Sequence, residues 1–204
     1  MKIICVGRNY AAHAAELKND VPKEPVIFLK PDTARLKSGE TFYLPSFTRN
    51  VHYEAELLVR INRMGKFIEE AFAHKYYNEV SVGIDFTARD VQSALKAKGL
   101  PWERAKAFDG SAAIGEWVKL DALNKDIGDL NFSLEKNGER VQNGHTSHML
   151  FGVDALIANI STFITLKVGD VIFTGTPAGV SSVKRGDTLR CCLEQKPVFT
   201  CVVD

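Results

Sequence analysis

The chain has 204 residues, 45% apolar and 25% charged, with 26 basic and 25 acidic side chains and a net charge of +1. That fits one globular domain over 1–204, long enough to bury roughly 70% of the surface its unfolded form exposes. The composition is close to that of an average soluble globular protein, and the absence of any basic run leaves no footing for nucleic acid or a charged membrane surface.

The N-terminal stretch Met1-Lys2-Ile3-Ile4-Cys5-Val6-Gly7-Arg8 carries a short apolar run before Gly7. A secretory segment needs about 7–15 such residues and a membrane span about 20. No later segment comes closer, so a cytoplasmic protein is expected. Residues 2–6 predict a strand, and Tyr10–Lys18 a helix capped by Asn9. Val26–Leu29 is a short strand stopped by Lys30-Pro31, and residues 32–50 are loop with short extended pieces. Tyr53–Ile61 reads as a strand, Ile68–Ala73 as a helix reaching toward Tyr76, and Glu79–Ile84 as a further strand. Thr87-Ala88-Arg89-Asp90 has the pattern of a capping box opening a helix that ends near Gly99. Asn137-Gly138, between Asn131–Lys136 and Glu139–Gln142, is a type I′ hairpin signal. Phe151–Thr165 has amphipathic helical spacing, and Val171–Thr174, Thr188–Leu193 and Val198–Val203 close the chain as strands. Strands outnumber helices and do not alternate with them, which points to a β-rich α+β domain. Cys5, Cys191, Cys192 and Cys201 match no zinc spacing and are expected to be reduced, mostly buried thiols.

Several constellations carry candidate chemistry. In Tyr53-Glu54-Ala55-Glu56-Leu57, alternation puts both carboxylates on one strand face, where they repel unless a cation or a shared proton lies between them. Hard oxygen ligands of this kind suit Mg²⁺ or Mn²⁺. Two solvated acids on a strand edge have the same spacing. Asp85 stands where an apolar strand meets a helix start, and Arg89 and Gln92 share a face of that helix. The alternative there is an acid stabilised by the helix dipole. His13 and Glu16 are i, i+3 neighbours, a spacing that suits a general base and equally a plain surface contact. The stretch from Val168 to Val180 runs an apolar strand into a Gly/Pro/Thr turn, either a ligand cradle or a tight turn. Lys106, taken alone, has no distinguishing context.

The order of these stretches resembles the fumarylacetoacetate hydrolase family over nearly the whole chain. The matching segments are Val6–His13, Pro25–Pro31, Tyr53–Leu57, Asp85–Gln92 and Gly169–Val180. Lys98–Trp102 followed by Ala105–Phe108, together with Tyr43–Asn50, is similar to its short acylpyruvase and oxaloacetate decarboxylase branch. The resemblance implies a fold of mixed, strongly curved β-sheets (a β-roll) with a few peripheral helices, assembled as a homodimer. It also implies a metal site at Glu54, Glu56 and Asp85 for Mg²⁺, with Mn²⁺ an alternative. His13 and Glu16 would handle water, Lys106 would lie near the substrate, and Arg89, Gln92 and Thr176 would surround it. The implied activity is metal-dependent hydrolysis of a C–C bond in acylpyruvate-type 2,4-dioxo acids, with oxaloacetate decarboxylation as a second reaction. Isomerisation of a dienoic diacid and a non-catalytic ligand-binding role are the alternatives. Two departures from the family pattern are Ser181, where many relatives continue with Gly, and Ser111–Glu116, which lacks the Pro often found there.

Overall fold

The computed structural model describes residues 1–16 and 20–204. The chain runs through β1 (Ile3–Gly7), α1 (Ala11–Glu16), β2 (Val26–Lys30), β3 (Arg35–Lys37), β4 (Thr41–Phe42), β5 (Val51–Tyr53) and β6 (Ala55–Ile61). There follow α2 (Glu70–Ala73), β7 (Tyr77–Asp85), β8 (Thr87–Ala88), α3 (Arg89–Ala97), α4 (Glu103–Lys106), β9 (Ala112–Ile114) and β10 (Val118–Lys119). The chain ends with β11 (Asn131–Lys136), β12 (Glu139–His145), α5 (Val153–Ser161), β13 (Val171–Phe173), β14 (Ser181–Ser182), β15 (Thr188–Leu193) and β16 (Lys196–Val203).

These strands build three sheets. The largest has the order β2-β1-β13-β6-β7-β9-β3, with β10 also on β7, and its β1–β13 and β3–β9 pairs are parallel while the rest are antiparallel. A second sheet orders β12-β11-β15-β16-β4, and a small third one orders β14-β5-β8. The architecture is the mixed, β-rich one expected.

The large sheet is buried on both faces. Ile4, Val6, Leu57, Val59, Val80, Val82 and Ile84 belong to the main core, while Ile3, Cys5, Leu58, Val171 and Phe173 form a second apolar cluster. Neighbours along each strand therefore enter different clusters, as a two-residue period requires. With both sides apolar the sequence shows near-continuous hydrophobic runs rather than alternation. All four cysteines are buried and free. Among the described residues no helix is long and apolar enough to cross a membrane.

The hairpin is as expected, with Asn137 and Gly138 at φ 55° and 86°, the left-handed pair that a type I′ turn needs. Other expectations need correction. The expected strand at Tyr53–Ile61 is interrupted at Glu54, where the chain leaves the small sheet for the large one. There the Ala55 N–H donates to Gln142 Oε1 at 2.8 Å rather than to a neighbouring strand. Asn9 is not seen capping α1: its amide donates to the Phe151 and Thr174 carbonyls and accepts from Phe151 N–H. The expected extension of that helix to Lys18 lies outside the described residues. The expected helix at Phe151–Thr165 is confined to Val153–Ser161. Asn9 holds Phe151 at one end, and Leu166 pairs with Gly65 at the other. Thr87 makes no capping box; it lies in β8 and its hydroxyl is engaged by Lys106.

Gly83 faces Glu56 across the β6–β7 pair. A Cβ there would lie 2.1 Å from the Ala113 carbonyl oxygen and 2.7 Å from Leu58 Cδ1. Gly83→Ala should therefore destabilise the protein by about 1–3 kcal/mol through overpacking. A urea denaturation midpoint equal to that of the wild type would contradict this.

Candidate active site

The β6–β7 pair brings three acids to one place. Ala55 faces Ile84, Glu56 faces Gly83, and the Asp85 N–H donates to the Glu54 carbonyl at 2.8 Å. Tyr53, Ala55 and Leu57 enter the main core, so Glu54 and Glu56 share the opposite side. Asp85, two residues beyond Gly83, joins them there. One oxygen from each of Glu54, Glu56 and Asp85 lies within 4.8 Å of the other two, and all three residues are buried.

Three cations surround this group unevenly. Lys106 Nζ donates to Glu54 at 2.8 Å, to Asp85 Oδ2 at 2.7 Å and to Thr87 Oγ1 at 2.6 Å. Lys30 Nζ, at the end of β2, lies 2.7 Å from Asp85 Oδ1 and also donates to the Ser111 carbonyl and hydroxyl and to the Lys106 carbonyl. Arg89 pairs with Glu54 Oε1 and donates to Gln92 Oε1 at 2.6 Å. Glu56 accepts the Gly175 N–H at 2.7 Å and, among the described residues, pairs with no cation.

The electrostatics follow. Burial pushes the Glu54 carboxyl up, but the Lys106 and Arg89 charges overcome it and hold Glu54 well below the usual carboxylate range. Burial, reinforced by the charges of Asp85 and then Glu54, pushes Glu56 well above it. For Lys106, burial lowers the pKa, and the attraction of Asp85 and Glu54 raises it further than burial lowers it. Beside Arg89, burial and then the Arg89 charge push His52 down to about 4, so its ring is neutral and accepts from Arg89 Nε at 3.5 Å.

The residues fit a hard divalent cation. Asp85 Oδ1 is buried without an aligned hydrogen bond despite its Lys30 ion contact, and Glu56 is an acid that lacks a counter-charge. An all-oxygen, all-carboxylate donor set suits Mg²⁺ or Mn²⁺. Binding requires ionised Glu56, so it should release a proton, and affinity should rise by about tenfold per pH unit above the ordinary carboxylate range until Glu56 is fully ionised. Calorimetry in buffers of differing protonation enthalpy reads this directly, and a cation affinity independent of pH would contradict it.

The acids open into a cleft of about 440 Å³, including its open mouth. His13, Arg89, Gln92, Lys106 and Thr176 line it together with the three acids. Every residue that the sequence singled out as a site candidate thus faces this cleft, except Glu16, which reaches it through His13. The His13 Nδ1–Glu16 Oε2 distance is 3.1 Å, and the other Glu16 oxygen accepts from Gly179 N–H at 3.1 Å. An Nδ1–H donated to Glu16 leaves the His13 Nε2 lone pair available. Thr176 does not stand alone: Gln142 Nε2 donates to its hydroxyl at 2.9 Å and to the Pro177 carbonyl at 3.0 Å.

Four contributors had no assigned role in the sequence. Lys30 carried a faint signal, a cation ending an apolar strand. Thr87 was masked by its capping-box pattern. Gln142 joins Ala55, between the two glutamates, to Thr176 from a different sheet, and no local pattern reveals that. Arg8 was visible only as part of a longer matching stretch.

Comparison with known proteins decides the family. The fumarylacetoacetate (FAA) hydrolase C-terminal family model matches residues 2–204. This chain belongs to that family. It is 43% identical to the mitochondrial oxaloacetate tautomerase FAHD1 of Bos taurus over 92% of this chain and 85% of that protein. It is 40% identical to the mitochondrial oxaloacetate decarboxylase of Dictyostelium discoideum over 93% and 87%. Among solved structures, fumarylpyruvate hydrolase from Pseudomonas aeruginosa, in complex with Mn²⁺ and pyruvate, superposes with a TM-score of 0.92 at 36% identity, covering 100% of this chain and 89% of that one. The family member is an enzyme acting on oxo-acids, as the sequence led us to expect.

Proposed function

We propose that this chain is a Mg²⁺- or Mn²⁺-dependent enzyme that moves a proton at C3 of a small 2-oxo-acid, with enol–keto tautomerisation of oxaloacetate as its first activity. The observation that carries this is the Glu54–Glu56–Asp85 trio beside the His13–Glu16 pair in one cleft. Relatives at 40% identity or above that bear the names oxaloacetate tautomerase and decarboxylase support it.

A divalent cation held by the three carboxylates supplies Lewis-acid stabilisation of negative charge on the 2-oxo oxygen. The protein's own groups do the rest. Arg89, already oriented by Gln92 and Glu54, has further N–H donors with which to fix a substrate carboxylate. Thr176, set by Gln142, borders the same space. His13 Nε2 takes the proton from the enol hydroxyl, Glu16 stabilises the imidazolium through Nδ1, and the same nitrogen returns the proton to C3. Lys106 keeps a fixed positive charge beside the reacting oxygen. Phe28 and Trp102, packed edge to face at 6.0 Å, form an apolar wall of the cleft.

Hydrolysis of an acylpyruvate-type substrate is the second reading, favoured by the same pair: His13 Nε2 can instead deprotonate a water that attacks the distal carbonyl. The decay of enol-oxaloacetate absorbance tests the first reading. The protein with Mg²⁺ or Mn²⁺ should accelerate it, EDTA should abolish the effect, and His13→Asn should reduce it by about 10²–10⁴-fold. A rate equal to that of buffer would overturn the tautomerase assignment, and turnover of fumarylpyruvate or acetylpyruvate in its place would establish the second reading.

A further inference from the structure

We propose that Arg8 and Lys96 form a second anion-binding subsite at the mouth of the cleft, which receives the distal carboxylate of a dioate and makes dioates the preferred substrate class over 2-oxo-acids with a neutral end. The inference rests on the oxo-acid reading above and adds the residues that read the far end of the molecule.

The cleft has two electrostatic halves. Its deep end holds Glu54, Glu56 and Asp85: Lys30, Lys106 and Arg89 are already engaged by Asp85 and Glu54, and Glu56 is left to a divalent cation. Its outer part is lined by Arg8, half-buried, and Lys96, exposed, while among the described residues no acid lines the cleft outside the deep trio. Arg89, Gln92 and Lys96 are spaced i, i+3 and i+7 on α3, hence on one face, and all three line the cleft. Lys96 therefore stands on the same ridge as the residues that border the deep end. Arg8 follows the last residue of β1 with φ 59°, a left-handed conformation that costs a non-glycine residue stability and is often kept at binding sites. No acid among the described residues pairs with Arg8. Burial and then the charges of Arg8 and Arg89 lower the Lys96 pKa, so the two outer cations feel one another. The complement of such a pair is an anion, and a guanidinium with an ammonium beside it matches a carboxylate. Phe28 and Trp102 give the same cleft an apolar wall, suited to the carbon chain that joins two carboxylates.

Two unreactive probes of equal length separate the possibilities: 2-oxoglutarate ends in a carboxylate, 2-oxopentanoate in a methyl group. Calorimetry on the Mg²⁺-loaded protein should give 2-oxoglutarate an affinity at least about tenfold higher, as a charge-assisted contact provides. Arg8→Gln and Lys96→Gln should each lower that ratio severalfold, the double variant should bring it close to one, and Arg8→Lys should recover part of it. Lys96 is exposed, so Lys96→Gln reads the subsite even if Arg8→Gln folds poorly. Equal affinities in the wild type, or an unchanged ratio in Lys96→Gln and the double variant, would overturn the subsite while leaving the oxo-acid reading standing. If neither probe binds, the oxo-acid reading itself fails and takes the subsite with it.

Discussion

Lys30→Met should destabilise the protein by about 3–5 kcal/mol, the cost of removing one member of a buried ion pair. Lys30 is buried at 3% exposure, and its ammonium sits 2.7 Å from Asp85 Oδ1. It also satisfies the Ser111 and Lys106 carbonyls, which its loss leaves without that donor. Asp85 would keep Lys106 but face Glu56 with less compensation. Both carbonyls keep another donor, Ser111 Oγ for Lys106 at 2.8 Å and the Phe86 N–H for Ser111 at 2.9 Å, so the cost falls mainly on the Asp85 carboxylate, and methionine fills the space without replacing the lysine's charge. A divalent cation held by the three carboxylates would supply positive charge in its place, so Mn²⁺ should restore part of the lost stability. Urea denaturation of the variant with and without Mn²⁺ measures both effects. A midpoint equal to that of the wild type would show that Lys30 is dispensable to the trio.

Glu56→Gln should separate metal binding from folding. Glu56 is the acid of the trio without a cation, pushed up by burial and by Asp85 and Glu54. A carboxyl whose folded pKa is raised favours the folded state below its unfolded pKa and costs stability as pH rises through the folded value. At pH 8 without a divalent cation the wild type carries that cost, and the glutamine does not. The amide oxygen can still accept the Gly175 N–H that Glu56 accepts at 2.7 Å. The variant should therefore melt no lower than the wild type in EDTA, and near pH 4 the two should converge. In Mg²⁺ or Mn²⁺ the order reverses: the wild type gains stability by mass action and the variant does not. Cation affinity and turnover should fall by more than about 100-fold, beyond the usual loss for a residue that only supports a ligand. A variant that loses stability in EDTA and keeps its cation-induced thermal shift would contradict the assignment of Glu56 as a ligand.

Much of this site is legible in the sequence because its elements are local. Glu54 and Glu56 declare a shared face by their spacing, His13 and Glu16 by theirs, and Asn137-Gly138 sets its hairpin by backbone chemistry alone. Asp85 could be joined to the glutamates only through the order of motifs along the chain, since its partner strand is fixed by long-range register. The misreadings have the same origin. Thr87 and Asn9 have the side chains of helix caps, but tertiary partners claim both: Lys106 takes the Thr87 hydroxyl, and Phe151 and Thr174 take the Asn9 amide. Tyr53–Ile61 looks like one strand because both of its parts are apolar, yet the chain changes sheet at Glu54. Lys30 and Gln142 matter through atoms far away in sequence, Asp85 for one and Ala55 and Thr176 for the other, and no spacing rule reaches that distance.

The most direct test of the central claim, that the buried trio and the cleft form one cation-dependent oxo-acid site, is the affinity of oxalate with and without Mn²⁺. Coupled sites bind reciprocally, each ligand tightening the other by the same factor. The two ligands should therefore strengthen one another, and EDTA should remove most of the oxalate binding. An oxalate affinity that is the same in Mn²⁺ and in EDTA would contradict the account.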